Sequence, residues 1–119
     1  MKWFTEVEAG RSRHLFSYKS KMLFLGSCFS EEIGTRMMES GFNVLVNPFG
    51  VLYNPASIAL SLKRLSEGTP LDIEDLVKDG SVYKSIYHSG DFSSMEANSL
   101  IENINSSLLR DSDFMAKAD

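Results

Sequence analysis

The chain has 119 residues, 43% of them hydrophobic and 24% charged, which is the composition of one globular domain or part of one and not of a disordered tail. Its net charge of −4 and pI near 5.1 argue against nucleic acid as a partner, which calls for a basic face. No apolar run is long enough to cross a bilayer, the N-terminal MKWFTEVEAGRSRH lacks the apolar core of a signal peptide, and one cysteine with two well-separated histidines supports neither a disulfide framework nor a zinc cluster. A cytoplasmic protein with no cofactor, no metal and no membrane contact is therefore expected.

Residues 1–20 are mixed and polar and read as an extended lead-in, with Trp3 and Phe4 expected to dock on the core. Residues 21–25 form a short apolar run, the mark of a buried parallel strand. Residues 29–39 read as a helix in which Phe29, Ile33 and Met37 share a face, and Gly41 is placed to stop it. A second apolar strand, FNVLV, spans 42–46. The segment NPFGVLYNP then breaks regular structure. Asn54 before Pro55 marks a helix start, with Asn as cap and Pro at the first helical position; this helix runs over 55–66 with Ile58, Leu62 and Leu65 as its stripe, and Gly68 and Pro70 end it. A helical turn is expected within 71–78, and a weak strand over 82–87. Ser93 and Glu96 have the spacing of a capping box that opens a last helix over 94–110, with Leu100, Ile104 and Leu108 in line. Strand, helix, strand, helix with apolar strands argues for an α/β fold with a parallel sheet.

The stretch LGSCFSEEIG, residues 25–34, carries the chemistry. Gly26 permits a tight turn from strand to helix, and Ser27 and Cys28 follow on it. A helix N-terminus offers unpaired N–H groups and the positive end of the dipole, and both favour a thiolate or an oxyanion at such a turn. A nucleophile there stands against a plainer reading, since a free cysteine at a strand end is usually packing. Three sharper motifs are excluded. No GK[ST] follows for a phosphate-binding Walker loop. Position 28 is not the glycine of a dinucleotide fingerprint. A cysteine phosphatase loop wants arginine six residues after Cys28, where Gly34 stands and Arg36 is out of register. His88, in YHSGDFSS, reads either as a base facing Cys28 or as a loop histidine hydrogen-bonded near Asp91. His14 has no assigned role. Asp72, Glu74 and Asp75 read as a solvated acidic face with N-terminal helix charges rather than as a metal site.

LGSCFSEEIG, NPFGVLYNP and HSGDFSS together, in this order, resemble the GSCFA family, with Ser30 where the family motif has alanine. That family is similar to the SGNH/GDSL hydrolases, which implies a three-layer, flavodoxin-like α/β fold. The resemblance puts Cys28 on the position of the serine in the hydrolases' Gly-Asp-Ser turn and Ser27 on that of the aspartate before it. It makes Gly26, Asn47 and Gly50 oxyanion or substrate-binding positions, although NPFG is equally explained as a rigid turn. It implies an ester of a bacterial glycan or small molecule as substrate for a hydrolase or acyltransferase. The pattern's Gly-x-Asn-Asp turn and its Asp-x-x-His do not occur here. The residues three before His14 and His88 are Arg11 and Ser85. The family domain continues into a third apolar strand, so the chain reads as a single incomplete domain, inactive alone. Its first strand is then expected to have an unpaired edge open to self-association. The competing reading is a non-catalytic binding module that uses the helix N-terminus as an anion site.

Overall fold

The computed structural model describes Met1 and residues 3–119; Lys2, within the lead-in, lies outside the described residues. The first strand, β1 (Lys21–Phe24), leads through Gly26 into α1 (Cys28–Glu39), and β2 (Asn43–Val46) returns parallel to β1 with Met22 opposite Val44 and Phe24 opposite Val46. This is the β–α–β unit that the apolar strands predicted. The end of α1 is fixed as the glycine suggested. Gly41 sits at φ +94°, its N–H donates to the Met38 carbonyl, and the Phe42 N–H donates to that of Met37, both at 3.0 Å. That pair of bonds is a Schellman motif.

The next helix, α2 (Pro55–Glu67), begins at the Asn54 cap, whose Oδ1 accepts the Ala56 N–H at 2.8 Å, and ends at left-handed Gly68. A 3₁₀ turn (Ile73–Asp75) is capped by Asp72, which gives the acidic run a structural role. The chain then departs from expectation. Residues 76–79 form a strand, β3 (Leu76–Asp79), hairpinned to β4 (Val82–Ser85), and a two-residue β5 (Ser93–Ser94) adds to β4. The expected capping box at Ser93 is replaced by this pairing. Ser93 and Ser94 spend their backbone on β4, so α3 (Ala97–Ala116) starts later, at Glu96, without a side-chain cap. The fold is mixed α/β, with one two-stranded parallel sheet, one three-stranded antiparallel sheet and three helices.

The core does not lie on the parallel sheet. Its fully buried members are Phe49, Leu65, Leu71, Leu100, Ile104 and Leu108, drawn from the loop after β2, from α2 and its exit, and from α3. All four residues of β1 are only half-buried. Helix α1 meets the sheet through Gly34, where an added Cβ would stand 2.7 Å from a Val46 methyl and 3.3 Å from the Phe24 ring. Of the face expected to pack, Phe29 looks outward at 72% exposure, Ile33 is 37% exposed and Met37 is half-buried. Trp3 and Phe4 are not docked on the core either, Trp3 being 87% exposed. The lead-in touches the body later, where Tyr18 stacks on Phe42 at 4.3 Å and Phe16 meets the same ring edge-on. Among the described residues no helix is long and apolar enough to cross a membrane.

Candidate functional site at the turn from β1 to α1

Gly26 occupies φ +141°, a conformation that residues with a side chain rarely adopt. An added Cβ there would also meet Ser30 Oγ at 2.9 Å. The Ser30 hydroxyl in turn donates to the Leu25 carbonyl at 3.1 Å, so the serine that replaces the family's alanine ties the first turn of α1 back to the end of the strand. Ser27 is the N-cap residue, but its side chain makes no cap bond, which leaves the first turn without the usual hydroxyl lid. Cys28, the first residue of α1, is exposed and free. It is not the packing cysteine of the plainer reading.

Asn47 holds this turn from behind. It lies at φ +40°, in the left-handed region where asparagine is among the few tolerated residues with a side chain, and it is 7% exposed. Its Oδ1 accepts the Gly26 N–H at 2.9 Å, and its Nδ2 donates to Glu31 Oε2 at 2.7 Å. Its own N–H donates to the Phe24 carbonyl at 2.8 Å. Asn47 is thus a clamp between the end of β1, the turn and α1. Sequence reasoning missed Glu31. Its position three residues into the helix, where a carboxylate also favours the dipole, was the available signal.

Gly50 closes the loop. Its φ is +81°, and its N–H donates to the Asn47 carbonyl at 2.8 Å, so that donor is engaged within the loop. An added Cβ would run into the Ser89 side chain and approach Phe92 at 3.2 Å. The Ser89 N–H donates to the Phe49 carbonyl at 2.8 Å, which seats the His88–Ser89 segment on the Asn47–Gly50 loop. Among the described residues Ser89 Oγ, which is buried, has no hydrogen-bond partner.

His88 belongs to the support of that loop. Its ring lies 4.5 Å from the Phe49 ring and 4.6 Å from that of Phe92, and its Nδ1 is 2.8 Å from Ser85 Oγ. Burial pushes its pKa down to about 4, because the imidazolium loses its hydration there; the ring is neutral at pH 7. Among the described residues no hydrogen bond or ring contact joins His88 to Cys28, and the histidine bonds Ser85 rather than the backbone near Asp91. The structure therefore joins Gly26, Asn47 and Gly50 in one hydrogen-bonded group and places Ser27 and Cys28 on its outer lip. His88 packs on Phe49 of the same loop. Among the described residues no three His, Cys, Asp or Glu side chains converge to hold a metal ion.

Comparison with known proteins returns no match among curated proteins and none among solved structures. The model of the GSCFA family matches residues 21–119, which spans the turn, the Asn47–Gly50 loop, the His88 segment and all three helices. The exposed cysteine at the strand-to-helix turn and the asparagine clamp behind it are features of a chain that belongs to the GSCFA family.

Proposed function

We propose that this chain carries the nucleophile part of an SGNH-like acyl-ester hydrolase or acyltransferase, acting on an ester of a bacterial glycan or small molecule. The observation that carries the reading is the exposed Cys28 thiol at the uncapped start of α1, on a turn that Asn47 holds rigid. The thiolate attacks the acyl carbon, the ester C–O bond breaks, and the alcohol leaves with a proton from solvent while the thiol proton goes to solvent. Water, or a second hydroxyl, then takes the acyl group from sulfur. The N–H groups of the first turn of α1 face the developing oxyanion. The Gly50 N–H supports the loop rather than the oxyanion, and His88 supports it from behind. With no base touching the thiol, acylation is expected to outrun release, giving one fast turnover and a slow steady state.

p-Nitrophenyl acetate tests this. Folded protein should release p-nitrophenolate in a burst near one equivalent and gain one acetyl group on Cys28 by peptide mass spectrometry. Cys28→Ala should abolish the burst and Ser27→Ala should retain it. Acetylation scattered over lysines, or a thiol that reacts with iodoacetamide only after denaturation, overturns the reading. The second reading, a non-catalytic anion-binding module, is favoured by one feature, the missing side-chain cap at Ser27. It predicts that sulfate slows Cys28 alkylation while no acyl adduct forms.

A further inference from the structure

The buried stripe of α3 runs Leu100, Ile104, Leu108 and then Asp111. A carboxylate thus takes a place that the helical period assigns to another apolar side chain. Asp111 is 5% exposed, and a carboxylate so placed is costly unless it is paired or hydrogen-bonded. Its ion pair is with Arg110, whose Nε lies 3.2 Å from Oδ1. Arg110 is the next residue, its side chain is mostly in solvent, and consecutive helical residues do not share a face. Oδ2 is left for a second partner.

Asp111 and His88 line the same small cavity, of about 10 Å³, together with Ser107 and apolar walls that include Phe49 and Leu108. The hydrogen bonds of Ser85 bear on what His88 offers. Ser85 Oγ accepts the Tyr87 N–H at 3.1 Å and lies 2.8 Å from His88 Nδ1, where the hydroxyl proton has the Nδ1 lone pair as an acceptor. A neutral imidazole that accepts at Nδ1 carries its proton on Nε2. Phe49 and Phe92 flank the ring and offer that N–H no acceptor. A space of this size holds about one water molecule, and a buried water is stable with two to four polar partners.

We propose that this cavity is a single-water site. The water accepts from His88 Nε2–H and donates to Asp111 Oδ2 and Ser107 Oγ. Asp111 is then a positioning residue that fixes the tautomer of His88 through the water and ties α3 to the His88–Ser89 segment. Through the Ser89 N–H and the Phe49 ring, that segment carries the Asn47–Gly50 loop. The inference does not depend on acyl transfer at Cys28 and survives or fails separately from it.

Long-range ¹H–¹⁵N correlation on the ¹⁵N-labelled chain at pH 7 reads the tautomer directly. The wild type should show His88 as the Nε2–H form, with a cross-peak from its ring to a slowly exchanging water. In Asp111→Asn the water can donate to the ring instead, and the Nε2–H to Nδ1–H ratio should fall about tenfold, the weight of one hydrogen bond to a charged group. In Ser107→Ala, at a half-buried position that keeps the fold, the water cross-peak should weaken while the tautomer stays. An Nδ1–H ring in the wild type overturns the proposal even if neither variant folds. So does a folded Asp111→Asn protein with unchanged tautomer and water signals.

Discussion

The β1–α1–β2 unit and the α2–hairpin–α3 unit are built on different terms. The first has regular secondary structure with little burial: half-buried strands, a helix resting on a glycine, and an apolar helix stripe whose first residue, Phe29, is turned to solvent. The second has short, irregular strands yet holds nearly all of the fully buried side chains. The thiol sits on the first unit, and the loop that steadies it, Asn47 to Gly50, leans through Phe49 on the second. Regular structure presents the chemistry, and the core that stabilises it lies elsewhere in the chain.

The sharpest way to break this contrast is to remove one methyl-rich side chain from each unit. Ile104→Ala should cost about 2–5 kcal/mol, the range for truncating a buried aliphatic residue. Ile33→Ala should stay within about 0.5 kcal/mol, as for a surface substitution. Urea denaturation of both variants measures the difference, and equal losses would show that the α1 face is covered in solution.

A smaller effect comes from His88 at the join between the units. Its folded pKa of about 4 lies below the ordinary 6.5 because of burial. The unfolded chain therefore binds this proton more readily than the folded one. Stability from this group is full above pH 6.5 and is lost as pH falls towards 4, by about 3 kcal/mol in total. Stability measured against pH should slope upwards through that window, and the slope should be shallower in His88→Phe. Parallel curves for the two proteins would rule out the effect.

The smallest effect concerns the clamp. Asn47→Asp keeps a side chain that tolerates positive φ but sets a second carboxylate against Glu31. A loss of about 2 kcal/mol is expected, the weight of a hydrogen bond to a charged group. Adding Glu31→Gln should restore most of it by returning a donor to the pair. The rate of Cys28 alkylation should change in Asn47→Asp and recover in the double variant, and a rate unmoved in both would separate the clamp from the turn.

How far the sequence foretold this follows from which signals are local. The strands near 22 and 44, the Asn54–Pro55 start, the Gly41 and Gly68 stops and the Leu100–Ile104–Leu108 stripe all rest on near neighbours, and the structure has each of them. The hairpin was missed although Gly80-Ser81, the two residues between its strands, is a dipeptide that suits a two-residue turn; Gly80 indeed sits at φ +62°. Its first strand, β3, is short and mostly exposed, so no alternation of apolar residues marked it. The exposure of Phe29 was not legible either, because Phe29, Ile33 and Met37 carry the period of a buried stripe, and only the approach of Val46 to Gly34 reveals which side meets the sheet. Of the site, Cys28 on its turn was readable. The Asn47–Glu31 bond and the packing of His88 on Phe49 join residues far apart in the chain, and no spacing rule reports them.

Gly34 has a consequence for the thiol itself. It acts as a spacer of zero thickness between α1 and the sheet, six residues and therefore about 9 Å along the helix axis from Cys28. Any side chain at 34 lifts the helix like a wedge under a lever, with the strand-to-helix turn as the pivot. The tilt of α1 at Cys28 is in this way set by a residue that never touches it.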